Sequence, residues 1–176
     1  VWTLVWAVAS TFTCYFCGLL VAVHLTESGV RFSSVFRFIF ILPYAVPCVI
    51  TMILWKHMLN GTFGILNRTL QALGILRLDQ TIPWLGNANL AQLMCVVINL
   101  WAGFGYFMML SMGTMTAISK DMYEAAKIDG ASSFQTLKSI TLPLVLYQTM
   151  PLIIMSFTHN INNFGIIFFL TGGNPV

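Results

Sequence analysis

Two sets of polar residues recur at helical intervals inside long apolar stretches of this 176-residue chain. Both have the spacing i, i+4, i+7, and they are Asn99, Gly103 and Tyr106, then Ser156, Asn160 and Asn163. A helix places residues at this spacing on one face. Amides donate and accept hydrogen bonds and aromatic rings offer flat apolar faces, which suits a neutral, hydroxyl-rich ligand such as a sugar. The alternative is that these residues join helices by interhelical hydrogen bonds, as Asn, Ser and Gly commonly do in membranes.

A second distinctive segment, residues 119–141, is called here the charged island because long apolar runs flank it. Its charged residues are Lys120, Asp121, Glu124, Lys127, Asp129 and Lys138. Hydrocarbon cannot hold so many charges, so the island is predicted to be an aqueous loop. Ser119 is expected to cap a helix that ends near Gly130, which would adopt positive φ. Ser132 or Ser133 is expected to cap a second short helix, and Pro143 to begin the next span.

The composition indicates a polytopic helical membrane bundle, an all-α fold. Charged residues make up 7% of the chain and hydrophobic ones 58%, whereas charged residues are about a quarter of soluble domains. The net charge of +3 gives no reason to expect a nucleic-acid partner. The sequence has no phosphate-binding loop motif and no acidic pair inside a span, so it is not expected to be an enzyme or to hold a metal or cofactor.

About four complete spans are predicted in a single transmembrane domain covering residues 1–176, with both chain ends expected to be cut. The spans cover about 2–24, 38–55, 90–117 and 142–160. An outer loop at 56–89 is expected to carry a short amphipathic helix around Leu66. The closing stretch 164–170 is too short to cross alone and suggests a re-entrant or interfacial piece. Pro43 and Pro47 are expected to interrupt the second span, either as a discontinuity or as a simple kink.

The basic residues predict the orientation. One set of loops holds Arg31, Arg37, Lys120, Lys127 and Lys138, and the opposite set holds Lys56, Arg68 and Arg77. Because cytoplasmic loops favour Lys and Arg, the charged island is predicted to face the cytoplasm. The four cysteines Cys14, Cys17, Cys48 and Cys95 lie in apolar stretches and are expected to be small buried residues.

The island resembles the coupling loop of ABC importer permeases. Glu124-Ala125-Ala126 is followed by Gly130 six positions after the Glu, and Leu142-Pro143 opens the next span. The stretch 44–175 is similar, more narrowly, to the larger permease subunit of maltose/maltodextrin importers. In that family the loop docks on an ATP-hydrolysing subunit. The resemblance therefore implies docking roles for Glu124, Ala125, Ala126, Asp129, Gly130, Leu142 and Pro143.

The same resemblance implies partners and a location. ATP and Mg²⁺ would be bound by separate ATP-binding subunits, and a second homologous permease would complete the pore. An extracytoplasmic sugar-binding protein would deliver the sugar to the outer loop. Such a chain is a multi-pass protein of a prokaryotic cytoplasmic (inner) membrane, surrounded by lipid, and its mechanism would be alternating access.

Sugar-contacting positions are also implied by the resemblance. They are Tyr44, Asn99, Gly103, Tyr106, Ser156, His159, Asn160 and Asn163. The expected substrate is therefore a maltose/maltodextrin-like oligosaccharide. Ala102 stands where the maltose subunit has a larger aliphatic residue, and His159 stands where it has Phe, so this sugar need not be maltose itself. The alternatives are a permease of the same class for another solute such as glycerol phosphate, an ion-coupled sugar carrier, and a purely structural subunit. An ion-coupled carrier should place an acid within a span, and none is present.

Overall fold

The computed structural model describes residues 1–27 and 30–173, with the backbone alone described at Glu27. The described part is helical and contains no strand, which confirms the all-α prediction. In chain order the helices are α1 (Trp2–Glu27), α2 (Ser33–Ala45), α3 (Cys48–Met58), α4 (Ile65–Ala72), α5 (Ala88–Ala117), α6 (Lys120–Ile128), α7 (Ser133–Thr136), α8 (Leu142–Ile161) and α9 (Phe164–Thr171). A π-helical turn, Leu137–Thr141, joins α7 to α8.

Helix α1 lies at the centre of the bundle, packed along α5 and against α8. Tyr15 shows this position, since its ring meets Phe107 of α5 edge to face at 5.6 Å and its hydroxyl lies 2.8 Å from the Thr149 hydroxyl of α8. On the other side α3 packs against α9, and Trp6, Met52 and Leu170 are buried together there. The bundle therefore has two apolar cores connected by α1 and α5.

Three helical segments are long and apolar enough to cross a membrane: Trp2–Thr26, Ala88–Ala117 and Ser133–Ile161. Helices α2 and α3 form a fourth candidate only if taken together. Large apolar side chains cover the outside of these segments, for example Leu20, Leu54 and Ile154. Soluble proteins rarely expose so large an apolar surface to water, so the outer faces are suited to contact with lipid or with another membrane chain.

The second span, expected over 38–55 with an interruption at the prolines, consists of two helices. Helix α2 begins at Ser33, and a bend of 91° at Val46 and Pro47 separates it from α3. Pro47 lacks the N–H that would continue the helix, and it restricts Val46 to extended backbone, with φ −80° and ψ 134°. Pro43 lies inside α2 and does not end it. Of the two outcomes considered from sequence, a discontinuity is the one observed.

Helix α8 begins at Leu142 with Pro143 in its first turn, as expected for the last span. No break separates it from α7, however, so the chain is helical over Ser133–Ile161. The π-helical turn connects the two, since the Leu142 N–H donates to the Leu137 carbonyl five residues earlier. A single π turn of this kind inserts one extra residue, a feature that often occurs at functional sites.

In the outer segment between α3 and α5, one buried side chain organises the fold. The Asn67 amide donates to the carbonyls of Gly61 at 2.8 Å and Ile82 at 3.0 Å. Its oxygen accepts from the Ile82 N–H at 3.3 Å and from the Trp84 indole at 3.0 Å. Because the Asn67 side chain is buried and makes all four of these hydrogen bonds, it holds the short amphipathic helix α4 against the residues that lead into α5.

Candidate functional site

A cavity of about 630 Å³ opens where the break between α2 and α3 faces α5, α8 and the start of α9. We call it the substrate cavity, after the role predicted from the sequence for residues of its wall. All eight residues proposed from the sequence to contact a ligand line it: Tyr44, Asn99, Gly103, Tyr106, Ser156, His159, Asn160 and Asn163. Its volume falls within the range of about 300–1,000 Å³ that is usual for small-molecule sites. The fold therefore gathers residues from three helices, α2, α5 and α8, and from the N-cap of α9, which lie in three separate stretches of the sequence.

Two tyrosines form the aromatic wall of the substrate cavity. The rings of Tyr44 and Tyr106 are stacked, with centroids 5.2 Å apart and an angle of 25° between their planes. Tyr106 also meets Phe107 edge to face at 5.3 Å. Tyr44 reaches this position because it lies in the last turn of α2, immediately before the break. The wall presents stacked flat faces beside phenolic hydroxyls, which suits a ring with both apolar and hydroxylated surfaces.

The amide of Asn160 has a structural role in addition to any contact with ligand. Its Nδ2 donates to the Thr11 hydroxyl at 3.1 Å, and its backbone carbonyl accepts from the Trp6 indole at 3.1 Å. Asn160 is only 5% exposed. The interhelical role considered as an alternative from the sequence is therefore present here, joining α8 to α1.

Asn99 also contacts α1, through longer hydrogen bonds to a cysteine sulfur than the bonds made by Asn160. The Cys14 thiol donates to the Asn99 carbonyl at 3.5 Å, and the Asn99 Nδ2 lies 3.9 Å from the Cys14 sulfur. Gly103 lies one turn along and is equally close to α1, because an added Cβ would lie 3.1 Å from that sulfur. Cys14 therefore occupies the back of the cavity, which explains why the residue facing it on α5 is a glycine.

The remaining predicted residues differ in their freedom to bind a ligand. Asn163 caps α9, since its Oδ1 accepts from the Ile166 N–H at 3.4 Å. Ser156 is half-buried and His159 is exposed, and both side chains face the cavity. Ala102, the first departure from the maltose-type pattern, also lines it. The two departures therefore lie in the cavity wall itself.

Sequence reasoning missed part of the wall. Pro47, Cys48 and Thr51, which follow the helix break, line the substrate cavity. Cys48 was expected to be buried, but it is exposed, whereas Cys14 and Cys95 are buried as expected and Cys17 is half-buried. The sequence feature that could have identified these residues was the pair of prolines, Pro43 and Pro47. It indicates an interrupted helix but does not say which way the following residues turn.

A test of the two possible roles of Asn160 follows from its contact with Thr11. Asn160→Ala in the full-length protein should lower the free energy of unfolding by about 1–3 kcal/mol, because it leaves the buried Thr11 hydroxyl unpaired. Asn162→Ala is the matched control, since the exposed Asn162 amide bonds only within α8, to the Thr158 carbonyl. Thermal melts in detergent measure both effects.

The paired variant Thr11→Val with Asn160→Leu should recover most of that stability, since both polar partners are then removed. If it recovers stability and transport together, Asn160 has no contact with substrate. If stability returns while transport stays absent, Asn160 acts on both the fold and the ligand.

The charged island has the local structure expected from its sequence. The Ser119 hydroxyl accepts from the Asp121 N–H at 3.3 Å and caps α6. Gly130 ends the helix with φ 76°. Ser132 caps α7 in a reciprocal arrangement with Gln135. These groups satisfy the backbone at the helix ends, so the island is a folded element and not a loose loop.

The proposed docking residues fall into two places on the island. Glu124, Ala125, Asp129 and Gly130 are exposed on or just after α6, whereas Ala126 is buried beneath them. Leu142 and Pro143 lie at the start of α8, immediately after Thr141. The Tyr123 hydroxyl lies 3.2 Å from the Thr141 hydroxyl, so α6 is tied directly to the base of α8. A force on α6 would therefore reach the span that carries Ser156, His159 and Asn160.

Together the helical bundle and the uncharged cavity define a polytopic membrane protein with an internal ligand-sized site. Its family is shown by sequence. Residues 15–176 match the family described as the binding-protein-dependent transport system inner membrane component, and the chain belongs to that family. The resemblance proposed from the island motif is thereby confirmed.

Two relatives show the degree of similarity. The galactooligosaccharides transport system permease protein GanP of Bacillus subtilis (strain 168) is 39% identical over 175 residues, covering 99% of this chain and 41% of that protein. The maltose/maltodextrin transport system permease protein MalF of Escherichia coli (strain K12) is 38% identical over 175 residues, covering 99% of this chain and 33% of that protein. The chain thus spans between a third and about two fifths of the length of these relatives.

Solved structures agree with the fold. A bacterial ABC transporter involved in the import of the acidic polysaccharide alginate matches with a TM-score of 0.80 at 20% identity, covering 97% of this chain and 62% of that one. The bacterial alginate ABC transporter in complex with an alginate pentasaccharide-bound periplasmic protein matches with a TM-score of 0.82 at 21% identity, covering 97% of this chain and 58% of that one. At these identities the likeness concerns the fold.

Proposed function

We propose that this chain is the core of a transmembrane permease subunit that imports a neutral oligosaccharide, driven by ATP hydrolysis in separate partner subunits. The observation that carries the proposal is the substrate cavity. Its described lining combines stacked tyrosines with amide and hydroxyl groups and includes no Lys, Arg, Asp or Glu. Sugars are bound by such combinations of aromatic faces and hydrogen-bonding groups, and neutral ones need no counter-charge.

The absence of charge in the described lining argues against two other substrate classes. An acidic sugar or a phosphorylated solute such as glycerol phosphate carries negative charge, which would favour Arg or Lys in the cavity. His159 is the only basic side chain among the described lining residues. Between the two kinds of oligosaccharide named for the relatives, Ala102 and His159 favour a sugar other than maltose, because they change the wall where the maltose-type pattern has larger apolar groups.

The mechanism we propose is alternating access. ATP binding would draw the partner subunits together, and α6, seated on one of them, would move with it. The Tyr123 contact with Thr141 and the π-helical turn would pass that movement to α8. Rocking of α8 against α1 and α5 would then expose the substrate cavity to one side of the inner membrane and afterwards to the other. An extracytoplasmic binding protein and a second permease subunit would complete the transporter.

The experiment that tests the proposal is binding-protein-stimulated ATP hydrolysis by the full-length subunit, reconstituted with its partners in vesicles. Maltodextrins, galactooligosaccharides, an alginate pentasaccharide and glycerol phosphate form the panel. We expect stimulation by a neutral oligosaccharide only. Stimulation by the acidic sugar or by glycerol phosphate alone would contradict the neutral-substrate assignment. Sugar uptake driven by an ion gradient without ATP would instead indicate a secondary carrier.

A single aromatic substitution tests the cavity. Tyr106→Ala should reduce uptake of labelled sugar about tenfold, equivalent to about 1.4 kcal/mol, because it removes one of the two stacked rings. Tyr147→Ala is the control, since Tyr147 is 81% exposed on α8 and does not line the cavity. Uptake into vesicles is the measurement, with thermal melts to show that both variants are folded. Equal uptake by the two variants would remove Tyr106 from the sugar site.

A further inference from the structure

A second cavity, about 820 Å³ in volume, lies between the charged island and the ends of α1 and α5. We call it the island cavity. Its walls come from α6 and α7 on one side and from Thr26, Met115 and Ile118 on the other. It has no lining residue in common with the substrate cavity. A ligand here would therefore be distinct from the transported solute.

The chemistry of the island cavity is opposite to that of the substrate cavity. Lys120 and Lys127 both line it, and their spacing of seven residues places them on one face of α6 about two turns apart. Its described lining includes no Asp or Glu. Neither lysine forms an ion pair with any other residue that the structure describes. The cavity is therefore a basic pocket without a counter-charge from the described part of the chain.

Hydroxyl groups complete the lining. Ser133 and Thr136 from α7 and Thr26 from α1 line the cavity, and their hydroxyls have no hydrogen-bond partner among the described residues. Two ammonium groups with several hydroxyl donors are the groups that bind phosphate oxygens in proteins. The combination indicates a phosphate group as the ligand, since its oxygens can accept from ammonium and hydroxyl donors at the same time.

The position of the cavity favours one source of that phosphate. It lies at the ends of two membrane-crossing helices, beside Thr26 of α1 and just past the end of α5 at Ala117. That is the level at which phospholipid headgroups lie. Met115 and Ile118 are buried there and provide apolar surface next to the basic groups. Basic pockets between spans on the cytoplasmic side are known to bind anionic headgroups.

We propose that the island cavity binds a phosphate group, supplied by the headgroup of an anionic phospholipid. Such a headgroup would contact α6 and α7 of the island and the ends of α1 and α5 at the same time. It would hold the island at a defined distance from the spans and so link the composition of the membrane to the position of the docking element. The binding step itself does not depend on which solute the substrate cavity takes.

The test uses the full-length protein assembled with its partner subunits and measures bound lipid by native mass spectrometry. Phosphatidylglycerol should be retained in preference to phosphatidylcholine. The variant Lys120→Gln with Lys127→Gln should weaken retention about fivefold for each lysine removed, the size expected of a basic residue at an anionic membrane surface. Lys138→Gln is the matched control, because Lys138 lies on the same island but does not line the cavity.

Further variants distinguish a specific binding site from general electrostatic attraction. A competition experiment distinguishes lipid from free phosphate. Ser133→Ala with Thr136→Val keeps every charge and should also weaken retention, and it tests the site even if the lysine variant fails to fold. If Lys138→Gln reduces retention as much as the cavity variants, the attraction is general and the proposal is wrong. If inorganic phosphate alone displaces the lipid completely at equal concentration, the lipid source is wrong.

Discussion

Gly105→Ala should destabilise the full-length protein by about 3 kcal/mol or more and abolish transport. A Cβ at this position would meet the Phe40 carbonyl oxygen of α2 in severe overlap, with the Phe40 carbonyl carbon 3.0 Å and the Ile41 Cα 3.2 Å away. The obstructing atoms are backbone, so no side-chain rotation relieves the contact and α2 must move as a whole. Inserting even one methyl group into a closely packed interface costs about 1–3 kcal/mol, and rigid neighbours raise that cost.

The loss of transport follows from the residues next to the contact. Tyr106 follows Gly105 on α5, and Tyr44 lies one turn beyond Phe40 on α2. Pushing α2 outward would separate the two stacked rings, which now lie 5.2 Å apart, and would enlarge the substrate cavity. The close approach of α2 and α5 therefore sets the geometry of the aromatic wall.

Gly113→Ala provides the control for this variant. Gly113 lies on the same helix, and an added Cβ there meets nothing within 4 Å. Alanine at Gly113 should be neutral or slightly stabilising, because it favours the helix by up to about 1 kcal/mol relative to glycine. Thermal melts in detergent and sugar uptake in vesicles measure both variants. Wild-type stability in Gly105→Ala would show that α2 and α5 are not held at this distance.

Under the proposed docking of the island on an ATPase subunit, Gly130→Val should separate the two chains and reduce transport at least tenfold, with the spans intact. Gly130 adopts φ 76°, where a β-branched residue is a strong outlier. The end of α6 is closed by two backbone hydrogen bonds that depend on this conformation, from the Ala131 N–H to the Ala126 carbonyl at 2.9 Å and from the Gly130 N–H to the Lys127 carbonyl at 3.2 Å. Valine would unwind this end and displace Asp129 and the turn into α7.

The expected effect comes from the backbone and not from crowding, since nothing lies within 4 Å of an added Cβ. Gly130→Asn should therefore be milder than Gly130→Val, because Asn enters the left-handed region more easily. Co-purification of the ATPase subunit is the direct measurement, with uptake as the second. A valine variant that retains the ATPase subunit and full uptake would contradict the docking role of the island.

Gly74→Val is the matched control for the docking measurement. Gly74 has φ 72° and the same open surroundings, but it lies in the segment between α4 and α5, outside the island. It imposes the same backbone strain on the chain at a distance from α6. We expect this variant to keep the ATPase subunit bound. That result would show that the loss of binding in Gly130→Val comes from the place of Gly130 in the island and not from backbone strain in general.

The helices and their ends could be predicted from the sequence because residues close together in the chain determine them. The low charge and long apolar runs indicate membrane-crossing helices, since hydrocarbon excludes charge and unpaired backbone. Ser119, Ser132 and Gly130 mark the ends of the island helices, because capping groups and positive φ act within a few residues. Helical periodicity also indicated the two polar sets at i, i+4 and i+7, and all six residues line the substrate cavity.

Other features depend on residues far apart in the chain, and only the packed structure shows them. The Asn160 amide reaches Thr11 across 149 positions, so no local pattern could distinguish a helix-joining role from a ligand-binding one. Pro47 predicts an interruption, but the packing of α2 on α5 places Tyr44 on Tyr106, and the 91° bend then leads into α3, which packs on α9. The π-helical turn before α8 likewise contains Thr141, whose hydroxyl meets that of Tyr123 from 18 positions earlier in the chain. The sequence determines the helices and their polar faces through short-range interactions. The shape of the cavity depends instead on the spacing of the helix backbones, and that spacing results from contacts that form only once the helices pack.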